Sequence, residues 1–213
     1  MDSHSVSVTF VVDTFLLLLI GIGPKIALVP FLEATAGMDD ATKRRVSKKM
    51  ITTAALVAVL LLALGELLTR LLHFSPGALS VAGGIILLII AVTMVLGSVE
   101  NRDKMAEARD PMLLAVFPLA IPYLLNPVGI VALVTLSAES ATWALFAVVL
   151  GVLLFVLLID LVVFRWANKV SEHLDESRML VTEKVFGFLL AAIGVQLVLD
   201  GLSAAGVIHL TGH

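Results

Sequence analysis

Two short interruptions of long apolar stretches carry residue types that could bind a small polar ligand. One is Gly23-Pro24-Lys25 and the other is Asn126-Pro127-Val128-Gly129, with their prolines 103 residues apart. Proline removes a backbone N–H and glycine relaxes the backbone, so a membrane helix broken there leaves carbonyl groups and a half-helix N-terminus unpaired. Such groups could hold a small ion or the carboxylate and ammonium groups of a substrate. The candidate substrate-binding residues are therefore Pro24, Lys25, Asn126, Pro127 and Gly129.

Lys25 and Asn126 each have a functional and a structural interpretation. A lysine near the centre of a membrane span costs roughly 2.5 to 3.5 kcal/mol on insertion scales. Its ammonium group could bind a substrate carboxylate or substitute for a coupling cation, or the side chain could snorkel toward the nearer membrane surface. Asn126 could recognise the polar ends of an amino acid through its amide. It could equally cap the half-helix that Pro127 begins, and the two roles of Asn126 are compatible.

Carboxylates inside the apolar stretches are candidates for coupling to an ion or a proton. Asp13 and Glu66 are the two that we consider for this role, because ionisable residues within a membrane are often functional. The alternative is a carboxylate at the membrane interface or in an ion pair at a helix end. Glu66 and Arg70 have the i,i+4 spacing that such a pair requires, and Asp200 has the same structural interpretation.

The composition indicates whether these residues belong to a soluble, a disordered or a membrane protein. The 213 residues are 60% hydrophobic and 15% charged, and their mean hydropathy is +1.09. A soluble domain is about 25% charged, and a disordered chain has low hydrophobicity and high net charge, so both classes are excluded. The net charge of −3 argues against a nucleic-acid partner. The chain also has no cysteine, which excludes disulfides and thiol chemistry. The sequence therefore predicts an integral membrane protein.

Six stretches are long and apolar enough to cross a bilayer as helices. Their uninterrupted apolar runs exclude a barrel of strands that alternate apolar and polar residues. The first stretch is expected to be a retained helix and not a signal peptide, because residues 1–10 contain no Lys or Arg and Asp13 interrupts the apolar run. The predicted fold is an all-α polytopic membrane protein whose first and fourth helices are broken by Pro and Gly. The predicted spans are 6–32, 50–68, 77–99, 112–138, 141–159 and 185–208.

Basic residues near the span ends predict the orientation, because cytoplasmic loops carry an excess of Lys and Arg. The loops after spans 1, 3 and 5 hold the basic residues, whereas the opposite side holds only Arg70. Loops 1, 3 and 5 are therefore expected in the cytoplasm and both termini outside it. Trp143 and Trp166 flank span 5, where interfacial tryptophans are expected. The basic loop residues are Lys43, Arg44, Arg45, Lys48 and Lys49; Arg102, Lys104 and Arg109; and Arg165, Lys169, Arg178 and Lys184.

The two Pro/Gly interruptions are part of a longer internal repeat. Gly83, in Ala82-Gly83-Gly84, and Gly187, in Phe186-Gly187-Phe188, are 104 residues apart, which nearly repeats the offset of the prolines. The chain is therefore expected to form one transmembrane domain, 1–213, of two halves: 6–99 and 112–208, joined by a charged linker at 100–111. Three spans per half make the halves inverted relative to each other, as in many transporters. Gly83, Gly84 and Gly187 are expected to pack helices near the site.

The motifs together resemble those of the MarC family of integral membrane proteins, over essentially the whole chain. The departures lie in the first helix, where Gly23 precedes Pro24 and Pro30 comes one position late, and in the fourth, where Asn126-Pro127-Val128-Gly129 stands in place of Gly-Pro-Gly. The matching segments are Pro24, Pro30 and Phe31 with the basic loop at Arg44 and Arg45; Ala82-Gly83-Gly84-Ile85; Phe117-Pro118-Leu119-Ala120-Ile121-Pro122; and 187–196 with Gly201-Leu202.

The resemblance implies a multi-pass protein of the bacterial inner membrane, related to LysE-type exporters, with relatives described as transporters of small neutral amino acids. We therefore expect a secondary transporter that exports or exchanges a small polar metabolite by alternating access. The alternative is a non-transporting scaffold or regulatory protein of the same fold. Gly21-Ile22-Gly23 is not a dinucleotide loop, because no strand precedes it, and no enzyme signature, cofactor or metal site is expected. The expected partners are a small-molecule substrate and the lipid bilayer, and the sequence also allows a homo-oligomer.

Overall fold

The computed structural model describes residues 7–96, 110–140, 142–170 and 176–209, and the regular elements in these ranges are all helical. The predicted linker at 100–111 lies outside the described residues except for its last two, and so do 97–99 at the end of the third span. The helices are α1 (Val8–Gly21), α2 (Pro24–Ala34), α3 (Asp40–Leu72), α4 (Pro76–Leu96), α5 (Pro111–Leu114), α6 (Pro127–Glu139), α7 (Trp143–Val170) and α8 (Glu176–Ala204), with an irregular segment (Ala115–Leu124) between α5 and α6.

Four of these helices are long and apolar enough to cross a membrane, which confirms a helical, multi-pass membrane protein. They correspond to the second, third, fifth and sixth predicted spans. The first and fourth predicted spans are instead made of shorter apolar pieces separated by non-helical residues. The four long segments are Asp40–Leu72, Pro76–Leu96, Trp143–Ala167 and Lys184–Ala204.

Prolines determine where the helix after each break begins. Pro24 and Pro127 each occupy the first turn of a helix, where the missing N–H would have no intrahelical partner in any case. The 14 residues of α1 extend over about 21 Å, which is less than the ~30 Å thickness of the hydrocarbon core. α1 is therefore too short to cross a bilayer alone, and it needs α2 to complete the span.

The irregular segment is a second departure from helix within the fourth span, in addition to the predicted break at Asn126-Pro127. Phe117 and Ile121 have extended backbone angles, with φ of −138° and −134°. Each of them precedes a proline, Pro118 or Pro122, whose ring disfavours the helical conformation of the residue before it. The predicted span 112–138 is therefore interrupted before Asn126-Pro127 as well, because two prolines four residues apart disrupt consecutive turns.

α4 and α8 pack against each other along a line of small residues. A Cβ atom built on Gly84 would lie 2.6 Å from the carbonyl oxygen of Gly194, and one built on Gly77 would lie 2.8 Å from that of Gly201. Two helical turns further along α4, a Cβ atom built on Gly187 would lie 3.2 Å from the carbonyl oxygen of Ala91. Small residues at seven-residue intervals let two helix backbones approach closely in a membrane. We call this contact the glycine seam.

The remaining helices form one apolar core beside the glycine seam. Buried side chains of α1, α2, α3, α6, α7 and the irregular segment make a continuous cluster. Large apolar side chains on the opposite faces are exposed, as expected of helices that face lipid.

Polar contacts hold the helix ends: Asp39 caps α3, and Lys184 of α8 donates a hydrogen bond to the Met94 carbonyl of α4 at 2.8 Å. The hydroxyl of Thr42 keeps the pKa of the Asp39 carboxyl below its ordinary value.

The glycine seam predicts that a single methyl group will destabilise the protein at Gly84 but not at Gly151. Gly84→Ala places its Cβ against the Gly194 backbone, and overpacking costs about 1–3 kcal/mol. Gly151→Ala has open space around its Cβ and is expected to be neutral or slightly stabilising, since Ala favours helix over Gly by roughly 0.5–1 kcal/mol. Thermal unfolding of the two variants in detergent checks this. Equal midpoints for both would contradict the close packing of α4 on α8.

Candidate functional site

The two helix breaks lie against each other in the interior of the protein. Ile22, between α1 and α2, pairs with Leu125, between the irregular segment and α6, in an antiparallel bridge. The backbone N–H of Asn126 donates to the carbonyl oxygen of Gly21 at 3.1 Å. Each break therefore supplies backbone partners to the other, and we call this arrangement the helix-break crossing.

The Asn126 side chain adds two more hydrogen bonds to the helix-break crossing. Its Oδ1 accepts from the backbone N–H of Gly129 at 3.2 Å, which caps the N-terminus of α6, and its Nδ2 donates to the carbonyl oxygen of Ile20 at 2.9 Å. The residue is 0% exposed. The capping role that the sequence allowed is present, and the same amide also links α6 to the end of α1. An amide retains one further N–H and one further lone pair beyond these bonds.

Glycine is required on both sides of the helix-break crossing. A Cβ atom on Gly21 would overlap the backbone of Gly129, and one on Gly129 would overlap the carbonyl group of Gly21. Gly129 was among the candidate residues, whereas Gly21 was not, because the sequence offered only a rejected nucleotide-loop motif at this position. The signal that could have identified Gly21 is its place one residue before the break, opposite a second glycine-containing break.

The candidate residues at the starts of α2 and α6 are exposed to different degrees. Pro127 is buried, Pro24 is half-buried and the side chain of Lys25 is exposed. Among the described residues, no side chain caps the N-terminus of α2. The first turn of α2 therefore combines uncapped backbone N–H groups with an ammonium group, and both favour an anionic partner. This chemistry suits the carboxylate of a small metabolite.

The three candidate packing glycines lie in two places. Gly83 faces α6: a Cβ atom built on it would lie 3.1 Å from Val131 Cγ2 and 3.5 Å from Pro127 Cβ. Gly84 and Gly187 lie in the glycine seam between α4 and α8. Gly83 alone of the three therefore borders the helix-break crossing, while the other two hold the helix pair beside it.

Asp13 and Glu66 lie apart from the helix-break crossing. Asp13 is exposed on α1 beside the exposed apolar residues Val12 and Leu16, eight residues or about 12 Å before Gly21. Glu66 forms the ion pair with Arg70 that their i,i+4 spacing allowed. Asp200 likewise accepts a hydrogen bond from Gln196 at 2.7 Å. In this structure, the helix-break crossing receives no carboxylate from these three positions.

A buried carboxylate that the sequence analysis did not select lies on α7. Asp160 is 0% exposed, and neither of its oxygens has a hydrogen-bond partner among the described residues. It directly follows an uncharged run that ends at Ile159, so span counting placed it at a membrane boundary. The signal that was overlooked is its spacing, since Val156, Asp160 and Phe164 fall on one face of the helix.

Two other features of the described residues bear on the chemistry of the site. No group of three His, Asp or Glu side chains in the described ranges lies close enough to hold a metal ion.

An open depression of about 390 Å³ lies between α1 and α7, and its lining is almost wholly apolar. It is lined by Val11, Val12, Phe15, Val148, Gly151, Val152 and Phe155. This surface suits lipid chains better than a polar solute.

Comparison with known proteins identifies the family. The model of the MarC family of integral membrane proteins matches residues 8–205, a range that includes both breaks and the glycine seam. The chain belongs to the MarC family. The resemblance noted from the motifs is thereby confirmed, and the departures in the first and fourth helices lie within a MarC-family protein.

Relatives from bacteria and archaea match this MarC-family chain over nearly its full length. It is 26% identical over 196 residues to a UPF0056 membrane protein of Buchnera aphidicola from Acyrthosiphon pisum, covering 92% of this chain and 97% of the relative. It is 28% identical over 183 residues to one from Methanocaldococcus jannaschii, covering 84% and 89%. One from Archaeoglobus fulgidus is 27% identical over 198 residues, covering 92% and 93%. No solved structure matches the chain.

The helix-break crossing predicts a graded loss of stability on shortening Asn126. Asn126→Ser keeps an acceptor for the Gly129 N–H but cannot reach the Ile20 carbonyl, and Asn126→Ala loses both bonds. A helix cap contributes about 1 kcal/mol, and a buried group left without its partner costs about 1–3 kcal/mol. Unfolding midpoints in detergent should therefore fall in the order wild type, Ser, Ala. An Ala variant as stable as the wild type would show that the crossing is not held by this side chain.

Proposed function

We propose that this MarC-family protein is a secondary transporter of the bacterial inner membrane that exports or exchanges a small polar metabolite, such as a neutral amino acid. The observation that carries the proposal is the helix-break crossing. Interrupted helices that meet in the interior of a membrane protein supply half-helix ends and backbone polar groups where lipid offers none. Corresponding broken helices in two halves are the best structural pointer to a transporter's binding site.

The positions of the helices support an inverted repeat of two three-helix halves, 6–99 and 112–208. Three pairs of elements begin 103 residues apart: α1 and α5 at 8 and 111, α2 and α6 at 24 and 127, and α3 and α7 at 40 and 143. The bridge partners Ile22 and Leu125 are also 103 residues apart. We infer that each residue of the bridge pairs with its own counterpart, as it would on a two-fold axis relating the halves.

Contacts in the glycine seam support the same relation. Gly84 approaches Gly194, and Ala91 approaches Gly187. A shift of 103 residues relates position 84 to 187 and position 91 to 194. The Gly84–Gly194 contact and the Ala91–Gly187 contact are therefore equivalent under the repeat. We infer that the two-fold axis passes through the bridge and through the seam, which makes the helix-break crossing the place where one half rocks against the other. Alternating access in many transporters follows this pattern.

The chemistry of the first turn of α2 supports an anionic group on the substrate. Its uncapped N–H groups and the ammonium group of Lys25 would bind a carboxylate. The remaining hydrogen-bonding capacity of the Asn126 amide, on the neighbouring break, would bind a second polar group. Pro24, Pro127 and Gly129 would act by keeping these backbone ends open, not by contact through a functional group. No bond is made or broken in this role, so we propose transport and not catalysis.

The basic residues support an orientation with loops 1, 3 and 5 in the cytoplasm and both termini outside it. Under this orientation α2 leads from the helix-break crossing to the cytoplasmic side. Trp143 and Trp166 are both exposed near the ends of α7, where the two membrane interfaces would lie. Lys25 then lies about 10 Å from the cytoplasmic end of its span, within reach of a solute that enters from that side.

A non-transporting scaffold remains the second candidate, because the Asn126 amide already bonds to Ile20 and Gly129. A break whose polar groups are paired internally is also what a purely structural kink requires. The two candidates differ in what they predict for Lys25, whose side chain is exposed and takes no part in the hydrogen bonds that hold the crossing.

Uptake by the purified protein in proteoliposomes tests the proposal. The wild type should accumulate at least one labelled solute from a panel of neutral amino acids and small carboxylates. Lys25→Ala should reduce that uptake by about tenfold to a hundredfold, the equivalent of one charge-assisted contact of 1.5–3 kcal/mol. The matched control is Lys49→Ala, which removes an exposed lysine of α3 and should leave uptake unchanged. A wild type that moves no solute of the panel would favour the scaffold, and normal uptake by Lys25→Ala would refute the site.

A further inference from the structure

Asp160 occupies an apolar position in the buried face of α7. That face repeats every three or four residues and is otherwise hydrocarbon on both sides of Asp160, where Val156, Leu157 and Phe164 are all buried. The ring of Phe164, one turn after Asp160, packs edge-on against Phe31 of α2 with centroids 5.1 Å apart. The carboxyl group therefore lies inside the protein core and not on the lipid-facing side of the helix.

No charged group of the described residues pairs with this carboxyl. α7 packs against α1, α2 and α3, and neither Asp160 oxygen accepts a hydrogen bond from any of them. Asp13 and Lys25 have exposed side chains, and Glu66 pairs with Arg70. The charged residues on these helices and beside Asp160 on α7 are Asp13; Lys25 and Glu33; Asp40, Lys43, Arg44, Arg45, Lys48, Lys49, Glu66 and Arg70; and Arg165.

The surroundings of Asp160 distinguish between the cations that it could hold. An isolated ionised carboxylate in an apolar interior is strongly unfavourable. A metal ion would need several further oxygen ligands, and the described residues provide no cluster of acidic or histidine side chains here. A proton needs only one oxygen and leaves a neutral group, which is tolerated in a hydrocarbon core far better than a charge.

We propose that Asp160 is a proton-binding site. In the closed packing of α7 against α1, α2 and α3, the carboxyl is a neutral acid. When α7 separates from these helices and water reaches the group, its O–H bond breaks, the electron pair stays on the carboxylate and the proton passes to water. The proposal that Asp160 binds a proton depends only on this packing. Its use in driving solute movement rests on the transport function proposed above and is a separate question.

The proposal is tested by the pH dependence of thermal unfolding in detergent, for the wild type and for Asp160→Asn. In the unfolded chain an aspartate is ionised above about pH 4, so the folded protein binds one proton more. The ratio of folded to unfolded protein should therefore fall by as much as tenfold for each pH unit above that value. Asp160→Asn keeps the shape of the side chain without a titrating proton. Its unfolding midpoint should exceed that of the wild type at about pH 8 and approach it at about pH 5.

Asp200→Asn is the matched control, because Asp200 is exposed and bonds to Gln196; its pH profile should follow the wild type. Infrared absorption provides a second readout: the wild type and Asp200→Asn should show a protonated carboxylic-acid band at neutral pH that Asp160→Asn lacks. The proposal is overturned if the band is equal in all three proteins. It is also overturned if Asp160→Asn has the pH profile of the wild type. A third contradicting result would be stabilisation of the wild type by sodium chloride and not by choline chloride, when Asp160→Asn shows no such stabilisation by sodium chloride. None of these readouts requires transport, so failure of the transport assay leaves them intact.

Discussion

Inside a bilayer a backbone N–H or carbonyl group without a partner costs several kcal/mol, and this chain breaks two of its helices in the apolar interior. The helix-break crossing is the answer to that constraint. The N–H of Asn126 bonds to Gly21, and the Asn126 amide bonds both to Ile20 and to Gly129. These bonds require the two backbones to touch, which is possible only because Gly21 and Gly129 have no side chains.

The rest of the fold surrounds this contact with helices that can pack closely. The glycine seam fixes α4 on α8, and Gly83 brings α4 against the start of α6. α3 packs along α6, where a Cβ atom on Gly65 would lie 2.9 Å from the Cβ of Ser137, and the hydroxyl of Ser137 accepts a hydrogen bond from the Glu66 N–H at 3.0 Å. A crossing held by few polar bonds and many close backbone contacts is suited to having two discrete arrangements, since packed interfaces shift between states and do not deform continuously.

The residues that could be predicted from the sequence are those whose effect is local. Pro24 and Pro127 set helix starts wherever they occur, and long apolar runs predict membrane spans, so the class of fold and both breaks followed directly. The extended residues Phe117 and Ile121 were predictable in principle from the prolines after them. Gly21 and Asp160 were harder to predict, because a glycine one residue before a break and a carboxylate spaced on one helix face become important only through the helix that lies opposite. A glycine before a break and a carboxylate after an apolar run each have an ordinary local explanation, and only tertiary packing makes one a contact and the other a buried group.

The central claim is that the two helix breaks cross at Ile22 and Leu125, and a disulfide between these positions tests it most directly. The chain has no cysteine, so Ile22→Cys/Leu125→Cys introduces the only two thiols. Directly opposed residues of an antiparallel pair have Cα atoms about 4.5–5.5 Å apart, within the range of disulfides. Mild oxidation in the membrane should therefore link the two segments rapidly, as measured by mass after proteolysis between the halves. Thiols that remain unlinked in the folded protein would contradict the crossing.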